Sequence, residues 1–244
     1  MKKTALVTGG AKRIGAAIVE TLHHAGYDIF LHYGKSEKAA QDLCDKLNAI
    51  RENSCRIFSA NLKDNHQVTT ISNWVKNHTD SLDVLINNAS LFTPTPWSTA
   101  NQDEWESIFS TNVQSPFFLT QSLLDLITVN HGSVVNLIDI HTERTLENHP
   151  IYCASKAALK SLTLSLAKDH GHQLRCNGVS PGAILWPENG EGEISNAQQE
   201  ILNKIPMQRL GDEQNIADTV LFLCRNDYIN GQIINVDGGR TTHS

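Results

Sequence analysis

Apolar positions along the chain fall into two alternating patterns. Short continuous apolar runs occupy residues 4–8, 28–33, 56–60, 82–87, 133–138, 174–179 and 233–236. Runs of this length, bounded by turn residues, predict strands covered on both faces. Between them, apolar residues recur three and four apart, the spacing of one helical face. Ile14, Ala17, Ile18, Leu22 and Ala25 mark a first helix that stops at Gly26. Ala39, Ala40, Leu43, Leu47 and Ile50 mark a second, and Val68, Ile71 and Val75 a third. A long fourth helix is predicted over 105–124, a fifth from about 151 to 169, and a late one around Ile216, Val220 and Leu223. Strict alternation of strand and helix predicts an α/β fold: a doubly wound parallel sheet of seven strands, right-handed crossovers, and helices on both faces. No linker, repeat or low-complexity run interrupts it, so residues 1–244 read as a single domain. The least regular stretch, 183–196, carries Trp186, Pro187 and three acids and predicts a loop or lid.

Composition narrows the partners. The formal net charge is -6, and phosphate backbones call for a basic field, so nucleic acid is not expected. No apolar run approaches the roughly 18 residues of a membrane span. Met1-Lys2-Lys3 imitates the start of a signal peptide, but only Ala5-Leu6-Val7 follows before Gly9-Gly10. The five cysteines are an odd number and no two lie two to four residues apart, which argues against a disulfide framework or a zinc cage. Reduced thiols and a cytoplasmic location are the expectation.

Candidate chemistry gathers at the carboxyl ends of the strands, where open α/β sheets bind ligands. Thr8-Gly9-Gly10-Ala11-Lys12-Arg13-Ile14-Gly15 joins the first strand to the first helix. Glycines there let the backbone approach a pyrophosphate, and the helix N-terminus aims N–H groups at it. An NAD site places an acid after the second strand for the ribose hydroxyls. This chain has His32-Tyr33-Gly34-Lys35-Ser36, and Lys35 with Ser36 suits a 2′-phosphate, which favours NADPH. The blander reading is a solvated lysine and a helix N-cap. Tyr152 and Lys156, four apart, share one helix face. A tyrosine near an ammonium is a plausible general acid, although the spacing alone is common. Asp139 closes the fifth strand, either at a site or as an N-cap. Asn112 lies on the apolar stripe of the fourth helix, so its amide needs partners: a helix distortion, a polar network at the site, or both.

Taken together, these pieces closely resemble the short-chain dehydrogenase/reductases from Thr4 to about Arg240. The matching residues are the 8–15 turn, Asn87-Asn88-Ala89, Asn112, Tyr152-x-x-Ser155-Lys156, Asn177-x-Val179-x-Pro181-Gly182 and Val236-Asp237-Gly238-Gly239. The resemblance implies a Rossmann domain binding NAD(P), with Gly9, Lys12, Arg13, Ile14, His32, Tyr33, Lys35, Ser36, Asn61, Leu62, Asn88, Ala89, Ser90, Pro181 and Gly182 around the cofactor. It implies Tyr152 as proton donor and Asn112 as holder of a relay water. Lys156 would hold the nicotinamide ribose and lower the Tyr152 pKa. It also implies a homotetramer built on the fourth and fifth helices. Two departures are informative. Arg13 replaces the usual second glycine, and Asp139 replaces the serine some 13 residues before the tyrosine. Both look like the pteridine reductase branch, as do His32 to Ser36 and Asn88-Ala89-Ser90-Leu91-Phe92. That branch implies a pterin stacked on Phe92, with Arg13, Ser90, Asp139 and Tyr152 also at the substrate. Asn61 departs from the usual Asp that accepts from adenine, and Ala183 from a serine at the cofactor phosphate.

The leading expectation is therefore NADPH-dependent reduction of a dihydropterin such as dihydrobiopterin or dihydromonapterin, and of dihydrofolate as a further candidate. The alternatives are a carbonyl reductase acting on a ketone such as a 3-oxoacyl thioester, and a non-catalytic NADP-binding sensor. His141, Trp186 and Glu188 are further pocket candidates. No metal is expected.

Overall fold

The computed structural model describes residues 2–184 and 196–242. Its frame is one seven-stranded parallel sheet in the order β3-β2-β1-β4-β5-β6-β7. The strands are β1 (Lys3–Val7), β2 (Tyr27–Tyr33), β3 (Cys55–Ser59), β4 (Val84–Asn87), β5 (Ser133–Leu137), β6 (Arg175–Pro181) and β7 (Ile233–Val236). The helices are α1 (Arg13–His24), α2 (Glu37–Ile50), α3 (Asn65–Lys76), α4 (Gln102–Phe109), α5 (Ser115–Val129), α6 (Pro150–Asp169), α7 (Asn196–Asn203) and α8 (Glu213–Arg225). No described helix is long and apolar enough to cross a membrane. All five cysteines are buried free thiols.

Strand alternation sorts the core into two layers. Ala5 and Val7 of β1 pack with Ile18 and Leu22 of α1, Leu43 of α2 and Val220 of α8. Leu6 between them faces the other way, joining Ile71 of α3 and Leu119 and Leu123 of α5. Chain order reverses beside β1, which pairs with β2 on one side and β4 on the other. The crossovers from β1 and β4 leave in opposite directions there and open a crevice at the carboxyl ends.

The predicted single helix over 105–124 is broken. A π-helical stretch, Ser110–Gln114, separates α4 from α5. Pro116 has no N–H to return to the carbonyl four residues earlier, that of Asn112, so the α-helical ladder cannot continue. Asn112 is the distorted point, as one reading of its buried amide required. Three further elements lay outside the sequence-based expectation: α7 and the 3-10 turns Ile140–Thr142 and Arg240–Thr242. Most of the expected 183–196 loop, with Trp186 and Glu188, lies outside the described residues.

Parallel register also builds a buried polar ladder. Asn87 stands beside Asn136. The Asn87 amide donates to Asn136 Oδ1 at 2.8 Å and to Thr120 Oγ1 at 3.3 Å. Asn136 Nδ2 donates to Thr163 Oγ1 at 2.8 Å, so the Asn136 amide ties β4, β5 and α6, and Asn87 adds α5. Removing the Asn136 amide leaves buried groups unpaired, at about 1–3 kcal/mol each. Asn136→Ala is expected to lower Tm by several degrees, at about 2–4 °C per kcal/mol for a chain of this size. Thermal denaturation checks this. An unchanged Tm would show that the ladder contributes nothing net.

Candidate active site

The crevice is held together across the switch point by Thr8 and Asn88. Thr8 Oγ1 accepts the backbone N–H groups of Asn88 and Ala89 at 3.0 and 3.1 Å and donates to the Ile86 carbonyl at 3.3 Å. Asn88 Nδ2 donates back to the carbonyls of Thr8 and Gly9 at 2.9 and 3.0 Å. Gly9 turns at φ +63°, and a Cβ there would press on Ala89 Cα at 3.1 Å. A Cβ on Gly15 would sit 2.1 Å from the Gly9 carbonyl oxygen, so only glycine lets α1 close onto the turn. Arg13 occupies φ +53°, a left-handed conformation that costs an ordinary residue about 1–2 kcal/mol. Such strain persists where function holds it in place.

Two clefts meet at this turn. One, of about 550 Å³, is lined by Gly9, Lys12, Arg13, Ile14, Asn88, Ala89, Ser90, Phe92, Asp139, Tyr152, Lys156, Pro181 and Gly182, together with Gly15, Leu137, Ile138 and Ile184. The other, of about 440 Å³, takes in Gly9, His32, Lys35, Asn61, Leu62, Ala89 and Ser90, and also Lys63. They share Gly9, Ala89 and Ser90. Among the described residues, the second cleft is lined by two lysines and no carboxylate side chain. Two of the residues expected around the cofactor line neither, and neither do Asn112 and His141. The Tyr33 ring belongs to the apolar core under α2, and Ser36 stands at the N-cap position of α2 without a side-chain capping bond. His32 is a structural member: its Nδ1 accepts the Gly9 N–H at 3.1 Å and its Nε2–H donates to the Ala60 carbonyl at 3.0 Å. Those partners select one tautomer, and burial pushes its pKa down, so the ring is neutral. Asn61 Oδ1, expected to face adenine, accepts the Lys63 N–H at 3.2 Å.

The titratable groups converge from β5 and α6. Tyr152 Oη donates to Asp139 Oδ2 at 2.7 Å. The other carboxylate oxygen accepts the His141 N–H at 2.9 Å, so Asp139 is both an N-cap and a partner of the tyrosine. Lys156 is fully enclosed and donates to the Leu137 carbonyl at 2.7 Å. Burial pulls its pKa down to about 8, and the Asp139 charge offsets only part of this. Burial first, and then Asp139, push the Tyr152 phenol well above its ordinary range. The Tyr152 pKa thus moves up, where the expectation had it lowered: burial and the Asp139 carboxylate set the direction, and the Lys156 ammonium lies 5.8 Å from the ring centre.

Asn112 is buried and its amide is fully occupied. Oδ1 accepts from Ser90 Oγ at 3.2 Å and from Leu91 N at 2.8 Å. Nδ2 donates to the Leu91 carbonyl and to Ser155 Oγ, both at 3.0 Å. Its side chain clamps the loop after β4 onto α6, which leaves no free side-chain valence for the expected water. Sequence reasoning missed the Leu137 carbonyl, Lys63 and His149. Only His149 carried a signal, three residues before Tyr152 and just outside the helix. No described cluster of His, Cys, Asp and Glu could hold a metal ion.

Lys156 allows a test with a defined sign. Its folded pKa lies below its unfolded one, so the unfolded chain binds more protons between pH 8 and 10.5 and stability rises with pH across that window. Below pH 8 the full cost applies, on the order of 3 kcal/mol. Lys156→Met is expected to abolish turnover yet stabilise the cofactor-free protein at pH 7 by about 1–3 kcal/mol, a gain that fades by pH 10.5. Denaturant unfolding at the two pH values checks it, and a destabilised variant at pH 7 would refute it.

Comparison with known proteins places this geometry in context. Residues 9–241 match the family model described as Enoyl-(Acyl carrier protein) reductase. The chain is 34% identical over 277 residues to Pteridine reductase 1 of Leishmania tarentolae, covering 96% of this chain and 95% of that protein. It is 30% identical over 243 residues to the 3-oxoacyl-(acyl-carrier-protein) reductase FabG of Staphylococcus aureus, covering 98% of each. It is 32% identical over 244 residues to the uncharacterized oxidoreductase YmfI of Bacillus subtilis, covering 98% of this chain and 99% of that one.

Proposed function

The chain belongs to the short-chain dehydrogenase/reductase family of NAD(P)(H)-binding oxidoreductases, and from that premise we propose that it reduces a dihydropterin with NADPH. The observation that carries this reading is the Asp139–Tyr152 pair, a carboxylate and a phenol joined at 2.7 Å in the cleft that also holds Phe92 and Arg13. A carboxyl group can pass a proton to a ring nitrogen, whereas beside a ketone oxygen its charge opposes the developing oxyanion. Phe92 offers a ring face to a flat heteroaromatic, and Arg13 a charged donor to its oxygens. The kinship with a pteridine reductase adds support.

The residues present fit a dinucleotide. A cleft that meets a glycine turn and carries Lys35 and Lys63, with no carboxylate among its described residues, suits the extra phosphate of NADPH. Lys12, Arg13 and Ile14 would hold the pyrophosphate, Asn61 and Leu62 the adenine, and Lys156 with Tyr152 the nicotinamide ribose. Asn88, Ala89, Ser90, Pro181 and Gly182 would line the nicotinamide side. When bound, the cofactor supplies the hydride.

The chain's own task is then to bind the pterin, hold it flat and deliver one proton. Reduction of a ring C=N leaves its nitrogen to be protonated. Tyr152, held protonated by burial, carries that proton, and Asp139 Oδ2 is the acceptor placed to relay it. Lys156 supplies the positive charge that keeps the pair from accumulating negative charge. Self-association into a homotetramer on the fourth and fifth predicted helices fits the apolar side chains exposed on α4 and α5, which together make up the fourth (Trp105, Phe117 and Phe118), and on α6, the fifth (Leu164).

Ketone reduction is the second reading, favoured by kinship with a 3-oxoacyl reductase. NADPH oxidation measured with dihydropterins, dihydrofolate and 3-oxoacyl esters separates the two. Turnover of the esters alone would overturn the pterin assignment.

Cofactor choice follows from Lys35. Lys35→Glu is expected to weaken NADPH about 10- to 100-fold while leaving NADH within a few-fold, because a charge-assisted bond becomes a repulsion. Equal affinity of the wild type for both cofactors, by titration calorimetry, would refute the NADPH assignment.

The relay makes a separate prediction. Asp139→Ser and Tyr152→Phe are each expected to lower kcat for a dihydropterin by at least about 10²-fold while NADPH binding survives. The double variant should be little worse than the worse single one, since members of one relay are not additive. Full dihydropterin turnover by Asp139→Ser would remove the carboxylate from the mechanism.

A further inference from the structure

Phe92 is 55% exposed, yet it is held on two sides. His149 stacks on it face to face, with centroids 4.6 Å apart and planes 15° apart. Tyr152 meets it edge to face at 4.7 Å and 88°. The imidazole is itself anchored, since its Nδ1–H donates to the Glu147 carbonyl at 2.7 Å. Backbone joins the same two loops: Thr95 N–H donates to the Asn148 carbonyl at 2.6 Å. Asn148 turns at φ +59°, which brings the chain round so that His149 reaches Phe92. On the other flank, Asn112 holds both backbone groups of Leu91. Phe92 lines the larger cleft, whereas His149 does not.

We propose that His149 is a positioning residue for the substrate ring. It fixes one face of Phe92 from behind and so sets the angle that Phe92 makes with the proton-donating Tyr152. A loop phenylalanine without such a partner samples several rotamers, and a flat substrate must then pay to order it. A stacked imidazole with one nitrogen bonded to backbone removes that cost before the substrate arrives. An aliphatic side chain would fill the space without presenting an aromatic face. The proposal rests on the pterin reading for the identity of the ring, and the stack can be tested without it.

His149→Leu is expected to raise KM for dihydrobiopterin about 3- to 10-fold, with kcat within twofold and NADPH affinity unchanged. His149→Phe keeps the stack and should restore KM to within twofold of wild type. In a Phe92→Leu background, His149→Leu should add no further change in KM. Independently of substrate, the His149 imidazole protons should show an upfield ring-current shift by NMR that disappears in Phe92→Leu. An unshifted His149 resonance overturns the stack. KM unchanged in His149→Leu, or effects that add in the double variant, overturns the positioning role. If the wild type turns over no dihydropterin, the pterin reading falls, and the same KM comparison is made with the reduced ketone. A raised ketone KM keeps the positioning role, and an unchanged one removes it as well.

Discussion

Every part of the site hangs on the junction of β1 and β4. Neighbouring parallel strands whose crossovers leave in opposite directions open a crevice, and something must stop that crevice from splaying. Thr8 does so by accepting two successive backbone N–H groups from the loop that follows β4, while Asn88 returns two bonds to the glycine turn. Both clefts include Gly9 and Ala89, which this clasp locks together, and Ser90, the next residue in the chain. His32 braces the same turn from β2 and stays neutral because both its nitrogens already have partners. The binding surface is thus set by backbone bonding before any ligand-specific side chain contributes.

Charge imposes the second constraint. An ammonium, a phenol and a carboxylate share one partly closed volume, and burial works against the charged forms of the first two. Lys156 survives there on a single carbonyl bond and the nearby Asp139 charge. Arg13 is held in a backbone conformation better suited to glycine. Both are stability costs concentrated at the place where chemistry is expected, the usual signature of a functional site.

The loops after β4 and before α6 form the remaining wall. The Asn112 amide fastens the first loop to α6, and the Thr95–Asn148 backbone bond and the Phe92–His149 stack fasten it to the second. Such fastening gives loop-borne residues the fixed geometry normally associated with strands and helices. Asp139 shows the same economy: one oxygen caps a turn and the other takes the tyrosine.

By itself the sequence determined the sheet of seven strands, the two helical layers and the neighbourhood of the site. Those depend on apolar periodicity and on glycines in a strand-to-helix turn, which are local features. It also put Tyr152 and Lys156 on one helix face and Asp139 at a strand end, while their sharing one site was implied by the family resemblance alone. Tertiary structure decided the rest. The break of the fourth helix at Asn112 needed the missing N–H of Pro116 as well as partners on α6 and the β4 loop. Tyr33 lost its place at the cofactor because strand alternation turned it into the core. The direction of the Tyr152 shift could not be read from its spacing to Lys156, since it is set by desolvation and by a carboxylate 13 residues away in sequence. His149 entered the wall through a turn whose positive φ no periodicity encodes. Burial, and contacts between residues distant in sequence, exist only once the chain has folded, so the local pattern predicts the frame and leaves the electrostatics to the packing.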